Sequence, residues 1–290
     1  MNVLSLFDGV SCGRIALDRL GVKPTHYFAS EIDKNAIKCS KANWDDITHI
    51  GDVTKVRYEN GVLYTENGEY EVEIDLVLAG SPCQGFSFAG KQLAFSDPRS
   101  SLYFEFERIL CEIKQHNPYV KFLLENVKMK KESENVITDR LGVNPIMINS
   151  NMLSAQNRCR YYWCNFEVIL PVDKGITLEQ VTGIEGIKGA AKRNQLTKDG
   201  VVPKLNIQKG TKSNCVVASF ASKLNGCVVG GDFRPLTPEE CELLQTVPQG
   251  YTNPLSPNHR YKVLGNGWTA AVIEHILSHL FPDKETSTNP

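Results

Sequence analysis

What the chain lacks narrows its class first. No C-x-x-C pair occurs among its nine cysteines, and the nearest two, Cys159 and Cys164, have no second knuckle to complete a zinc site. No metal is therefore expected. The start, Met1 to Asp8, has no basic region ahead of its apolar residues, so no signal peptide is expected and the protein is read as cytoplasmic. In that setting the cysteines are free thiols, most of them small buried apolar residues. Apolar runs such as Phe122 to Leu124 and Cys215 to Phe220 are far too short to cross a bilayer, so no membrane partner is expected. A dominant charge is missing too. A net charge of −1 over 290 residues excludes a protein that coats nucleic acid indiscriminately, though not one with a local basic face. No internal repeat is found.

What is present describes a folded chain: 41% hydrophobic and 22% charged residues suit one large domain with a smaller satellite. Strands are expected at Val3 to Phe7, Tyr27 to Ala29, Ile47 to Ile50, Leu76 to Ala79 and Phe122 to Leu124. Helices are expected at Ile15 to Leu20, from Asp33 as N-cap through Ala42, and at Leu102 to Ile113. This alternation predicts an α/β fold with a doubly wound, mostly parallel sheet. Asn60-Gly61 and Asn67-Gly68 predict two tight turns in a small antiparallel decoration. Beyond Phe166 the rhythm gives way to Gly, Lys, Asn and short Val/Ile runs, predicting irregular β structure. Thr237-Pro238-Glu239-Glu240 reads as a capping box opening a helix, and a last helix is expected at Thr269 to Leu280. The domain reading is 1–166 as the α/β domain, 167–232 as a β-rich region, 233–282 as helices returning to the first domain, and 283–290 as a frayed tail.

Several strand ends carry groups capable of chemistry. The loop Phe7-Asp8-Gly9-Val10-Ser11-Cys12-Gly13 lets a ligand approach backbone and helix N-terminus, although a merely tight turn explains it equally well. It is not G-x-G-x-x-G, so the dinucleotide fingerprint fails. Glu31 and Asp52 end the second and third strands, where carboxylates take ribose or base donors; helix capping is the plainer alternative. Cys83 lies in Gly80-Ser81-Pro82-Cys83-Gln84-Gly85-Phe86-Ser87 after the fourth strand, and Glu125 ends the next. A thiol with an acid neighbour is a nucleophile with a partner, while a buried cysteine and a capping glutamate remain the alternative. No histidine accompanies them in sequence, which disfavours a Cys-His hydrolase. In Gln156 to Trp163 an extended backbone puts Arg158, Arg160 and Tyr162 on one face. From Gly186 to Asn225 eight Lys or Arg stand against one acid, Asp199.

Together these segments resemble the cytosine-5 DNA methyltransferase family. The ordered set is Phe7-Asp8-Gly9 through Gly13, Glu31, Asp52, Pro82-Cys83-Gln84, Glu125-Asn126-Val127, Gln156-x-Arg158-x-Arg160 and Leu264-Gly265-Asn266-Gly267, which spans nearly the whole chain. One departure is Ser11-Cys12, which stands where the family usually carries glycines. The eukaryotic de novo branch shows a similar loosening, and Gly265-Asn266-Gly267-Trp268 also looks like that branch.

The resemblance implies a Rossmann-like methyltransferase fold and transfer of a methyl group from S-adenosylmethionine to C5 of a flipped-out cytosine in duplex DNA, leaving S-adenosylhomocysteine. It implies Phe7, Asp8, Gly9, Glu31, Asp52, Val53, Pro82, Asn266 and Trp268 around the cofactor. Cys83 is implied as the nucleophile, with Glu125, Arg158 and Arg160 on the base. Region 167–232 is implied to recognise the target, with Arg193, Lys209 and Lys212 on DNA, as are Gln84 and Ser87 beside the nucleophile. A monomer is expected, with a restriction endonuclease for the same site as a candidate partner; an orphan or phage enzyme is the alternative. An RNA cytosine-5 methyltransferase is disfavoured because no Cys-Phe-Thr triplet follows the arginines. A catalytically dead paralogue is disfavoured because Cys83, Glu125, Arg158 and Arg160 are all present.

Overall fold

The computed structural model describes residues 1–81, 101–197, 200–219 and 225–282. By contacts the chain divides into two compact units, Met1–Ile148 with Cys159–Leu170 and Glu274–Pro290, and Asn149–Arg158 with Pro171–Ile273.

The first unit is built on a seven-stranded sheet. Its elements are β1 (Asn2–Leu6), α1 (Cys12–Arg19), β2 (His26–Ser30), α2 (Lys34–Asn43), β3 (Ile47–Gly51), β4 (Arg57–Glu59), β5 (Val62–Thr65), β6 (Gly68–Glu71), β7 (Leu76–Gly80), α3 (Ser101–His116), β8 (Lys121–Val127), α4 (Lys131–Leu141), β9 (Pro145–Asn149) and β10 (Cys159–Cys164). The strand order is β3-β2-β1-β7-β8-β10-β9. Pairs β1–β2, β2–β3, β1–β7 and β7–β8 are parallel, whereas β10 runs antiparallel to β8. The chain winds outward one way through β2 and β3, then restarts beside β1 with β7. That reversal is the switch point at which α/β sheets take ligands. Leu76, Val77, Leu78 and Ala79 are all buried, as a central strand covered on both faces requires. Leu4, Leu6, Phe28, Phe106, Phe122 and Trp163 join one core cluster, each full burial contributing about 2 kcal/mol. Asp33 caps α2 as expected, its carboxylate accepting from the Asn35 N–H.

The decoration is present as the antiparallel sheet β4-β5-β6. Asn60 (φ 52°) and Gly61 (φ 81°) make its first turn, both left-handed as a two-residue hairpin needs. The second turn falls on Glu66-Asn67, one residue before the expected Asn67-Gly68, because Thr65 pairs with Gly68.

In the second unit, β11 (Lys188–Thr197), β12 (Gly200–Ile207), β13 (Asn225–Val229) and β14 (Asp232–Arg234) form a sheet of order β12-β11-β13-β14, antiparallel throughout. It is more regular than the irregular structure expected for 167–232, since long pairing between β11 and β12 tolerates a diluted hydrophobic period. Here too are α5 (Leu178–Thr182), α6 (Pro238–Leu244) and α7 (Pro257–Asn266); α8 (Ala270–Ser278) closes the chain's regular structure. The expected capping box is present at Thr237, with Glu240 returning the bond and Pro238 in the first turn. The contact division groups 171–273 and adds Asn149–Arg158, leaving 167–170 in the first unit, whereas composition alone puts boundaries at 166 and 232. Among the described residues no helix is long and apolar enough to cross a membrane. The tail 283–290 lies outside the described residues.

Candidate active site

The carboxyl ends of β1, β2 and β3 bring the expected cofactor residues of the first unit together. After β1 the backbone turns through three left-handed residues, Phe7 (φ 58°), Gly9 (φ 60°) and Ser11 (φ 60°). Open space lies above Gly9 where a side chain would project. Ser11 holds the conformation a glycine adopts freely, and its hydroxyl offsets the strain by bonding Asp8 Oδ2 and, at 2.7 Å, Ser40 Oγ. Asp8 turns inward: it is 7% exposed and accepts from Tyr27 Oη at 2.8 Å. Burial pushes its carboxyl up to about 6, against the hydroxyls of Ser11 and Tyr27, which pull it down. Asp8 therefore shapes the loop with its side chain rather than presenting it outward.

Glu31 ties the first two strand ends together. One oxygen accepts from the Gly9 N–H at 2.8 Å, the other from the N–H groups of Ile32 and Asp33, both at 2.8 Å. Beside it Ile32 is 70% exposed, a large apolar side chain left on the surface at a strand end. Its sequence signal was an isolated apolar residue between two acids, which the sequence reading passed over. Asp52 accepts from the Thr54 N–H at 2.9 Å, and Val53 is buried behind it. Two strand-end carboxylates, an exposed apolar side chain and an open glycine loop suit a nucleoside-bearing ligand.

The ends of β7 and β8 lie side by side, Gly80 in register with Glu125. Asn126 Nδ2 donates to Ser81 Oγ at 2.9 Å, anchoring the entrance to the loop that carries Cys83. Pro82, Cys83, Gln84 and Ser87 themselves lie outside the described residues. Across β8 and β10, Arg160 Nε pairs with Glu125 Oε1 at 3.0 Å, with side chains only 15% and 10% exposed. Tyr162 stands in register with Glu125.

The two arginines part company. Arg158 precedes β10 and belongs to the second unit. Its guanidinium donates to the carbonyls of Val216 at 2.9 Å, Gly267 at 2.8 Å and Gly265 at 3.4 Å, and to Cys215 Sγ at 3.3 Å. Gln245, fully buried, adds Nε2 donations to Leu264 O at 2.6 Å and Gly267 O at 3.1 Å. Gln156 Nε2 donates in turn to Gln245 Oε1 at 2.8 Å. The turn bearing Asn266, which is exposed, and Trp268, which is buried, is thus clamped by two buried polar side chains. Gln245 carried no sequence signal beyond the end of an amphipathic helix.

Lys209 is exposed, whereas Lys212 is not free for a phosphate. Its ammonium donates to the carbonyls of Ile176 at 2.5 Å, Asn151 at 2.7 Å and Ser154 at 3.2 Å, and burial lowers its pKa. The expected DNA contact at Lys212 is corrected on that ground. Arg193 lies on β11, paired by its backbone with Lys204. Among the described residues no group of three or more His, Cys, Asp or Glu could hold a metal ion.

This fold is that of methyltransferases. The solved Entamoeba histolytica methyltransferase EhMeth superposes with a TM-score of 0.69 at 17% identity, over 98% of this chain and 99% of that one. A Spodoptera frugiperda DNMT2 mutant superposes with a TM-score of 0.63 at 20% identity, over 97% and 99%. The chain belongs to the C-5 cytosine-specific DNA methylase family, whose pattern it matches over residues 1–144 and 174–282. Among its relatives are the Type II methyltransferases M1.ScrFI of Lactococcus lactis subsp. cremoris, 28% identical over 99% of this chain and 79% of the relative, and M.HpaII of Haemophilus parainfluenzae, 29% identical over 93% and 86%. M.Bsp6I of a Bacillus species is 29% identical over 97% and 98%. The reaction is cytosine-5 methylation of DNA.

Proposed function

We propose that the chain methylates cytosine in duplex DNA with S-adenosylmethionine held at the ends of β1, β2 and β3. The observation that carries this reading is the pairing of β7 with β8, which sets Glu125 beside the entrance to the Cys83 loop while Arg160 holds the Glu125 carboxylate. Glu31, Ile32, Asp52 and the Phe7–Gly9 loop would hold the adenosine half of the cofactor. The parts of Pro82, Asn266 and Trp268 rest on the family resemblance. Bound there, the cofactor supplies an electrophilic methyl group on a sulfonium sulfur.

Cytosine C5 is too weak a nucleophile for that methyl group until the ring is activated. The Cys83 thiolate adds to C6, and the electron pair displaced from the C5–C6 bond makes C5 electron-rich. Glu125 would pass a proton to N3 as the ring takes up the electron pair, so no uncompensated negative charge faces its carboxylate, and Arg160 keeps that carboxylate in place. Once C5 carries the methyl group, a base removes the C5 proton. The C5–C6 double bond re-forms and the thiolate leaves. A stacked base cannot be reached this way, so the target cytosine is flipped out of the helix.

The second unit's sheet, whose β11 carries Arg193, together with Lys209 just beyond β12, is the region proposed to choose the site. The Type II names of the relatives support a modification enzyme working beside an endonuclease of the same specificity, and we propose that it acts as a cytoplasmic monomer. Methyl transfer from labelled cofactor to duplex DNA and to tRNA, followed by base-resolution mapping, tests the whole reading. Labelling confined to tRNA would refute it.

A further inference from the structure

The β5–β6 hairpin is rooted in the core and ends at the cofactor side of the sheet. At its root, Tyr58 and Leu63 are buried in the core cluster, and the Tyr70 ring packs on Phe28 with centroids 4.9 Å apart. Its turn is stiffened by Thr65 Oγ1, which accepts from the Asn67 N–H at 3.2 Å and donates to Gly68 O at 2.8 Å. From that turn two exposed side chains reach back to the end of β3. Asn67 Nδ2 donates to His49 O at 2.8 Å, and Glu66 Oε2 accepts from the Asp52 N–H at 2.9 Å.

Gly51 sits beneath this grip in a left-handed conformation, φ 84°. A Cβ there would meet Glu66 Oε2, the far end of a flexible side chain, so it is the left-handed backbone that favours glycine. Ser30 Oγ holds the Gly51 carbonyl from the other side at 2.8 Å. The Asp52 carboxylate keeps Oδ1 on Thr54, while Oδ2 has no partner among the described residues.

We infer that Glu66 and Asn67 are positioning residues for the cofactor: they fix the Gly51-Asp52 end of β3 so that Asp52 Oδ2 points at the exocyclic amine of adenosine. This rests on the reading that Asp52 faces adenosine. The hairpin closes through its own strand pairing, so bonds from its exposed tip are not needed to form it. With only Ser30 on its carbonyl, the Gly51-Asp52 end of the strand would be held from one side alone. Two bonds from a rooted arm turn it into a preorganised acceptor, which lowers the ordering cost of binding. A second carboxylate at this edge also deepens the negative potential, which favours an amine over a carbonyl at that ring position.

Calorimetry of the full-length chain with S-adenosylhomocysteine and with its inosine analogue tests this. Glu66→Ala should weaken the adenosine ligand about tenfold, the worth of one well-placed hydrogen bond to a charged acceptor, and barely change the inosine ligand. In an Asp52→Ala background, Glu66→Ala should add less than about twofold, because it acts through Asp52. A lower melting temperature with unchanged affinity would overturn the proposal, as would equal weakening in both backgrounds. The grip itself is read separately by hydrogen exchange of the Asp52 amide, which should quicken in Glu66→Ala. Quickened exchange together with unchanged affinity in Asp52→Ala would refute the placement of adenosine rather than the grip.

Discussion

Arg160 and Glu125 face each other across antiparallel strands at 3.0 Å, both largely withdrawn from water. Removing one partner leaves the other poorly compensated, which costs about 1–3 kcal/mol for a group of this burial. Arg160→Ala should therefore lower kcat more than it weakens DNA binding. Glu125→Gln, which keeps the shape and removes the charge, should retain the fold and lose nearly all methyl transfer. Single-turnover assays beside circular dichroism decide it, and near-normal turnover in Glu125→Gln would end this assignment.

Cys83 offers a direct chemical readout. Duplex DNA carrying 5-fluorocytosine at the target should trap the wild-type chain covalently, because fluorine cannot depart as the proton does. Cys83→Ser should form no adduct and no product while folding normally, a hydroxyl being far less nucleophilic at neutral pH. Mass spectrometry of the denatured complex reports the adduct.

Asp8 links the cofactor loop to pH. Its folded pKa, about 6, lies above the ordinary 3.8, so the folded state holds the proton more tightly than the unfolded chain does. The stability this gives is present below about pH 4 and is lost as pH rises to about 6, after which the penalty is level at about 3 kcal/mol. Asp8→Asn removes the titration while keeping the hydrogen-bonding shape. Urea midpoints of the two proteins should diverge between pH 4 and 6 in favour of the variant. A constant difference across that window would refute the buried-acid account.

Lys209 and Lys212 should behave oppositely. Lys209→Ala should flatten the salt dependence of DNA binding by about one unit and leave the melting temperature alone. Lys212→Ala strips three carbonyls of their donor and should lower the melting temperature with the salt slope intact. Binding curves at several salt concentrations, with thermal melts of each variant, separate the two.

Arg158→Ala should destabilise by about 3 kcal/mol or more, because the buried carbonyls of Val216 and Gly267 lose a charged donor. Gly265→Ala should be worse, since its Cβ would fall on the backbone of Val217 and Ala218. Denaturant titration measures both.

The α/β architecture was legible because buried parallel strands such as Leu76 to Ala79 read as unbroken apolar runs between turn signals. The capping box at Thr237 and the Asn60-Gly61 turn were legible for the same local reason. The Arg158 clamp was not. Alternation along Gln156 to Trp163 says which way a side chain points, not that four acceptors wait there from residues 215 to 267. The inward turn of Asp8 was hidden likewise, since Tyr27 on β2 reaches it only after the strands have assembled. Lys212 was misread for a third reason. Counting cations locates a basic stretch, but a single ammonium can be drawn inward by carbonyls that no residue count can see.

The clamp on Leu264 to Gly267 has a consequence for how the protein is made. Arg158 leaves the ribosome 107 residues before Gly265, one of the carbonyls it binds, with Gln245 made between them. The second unit includes Asn149–Arg158, so until Gly265 and Gly267 are made that unit carries a guanidinium with only Cys215 and Val216 to accept from it. The parallel sheet of the first unit can form from β1 to β8 during elongation, whereas the second locks only once Gly267 has been made. A nascent chain stalled short of residue 267 should therefore be protease-sensitive over 149–158 and from about residue 171 onward, and resistant in β1, β2, β3, β7 and β8.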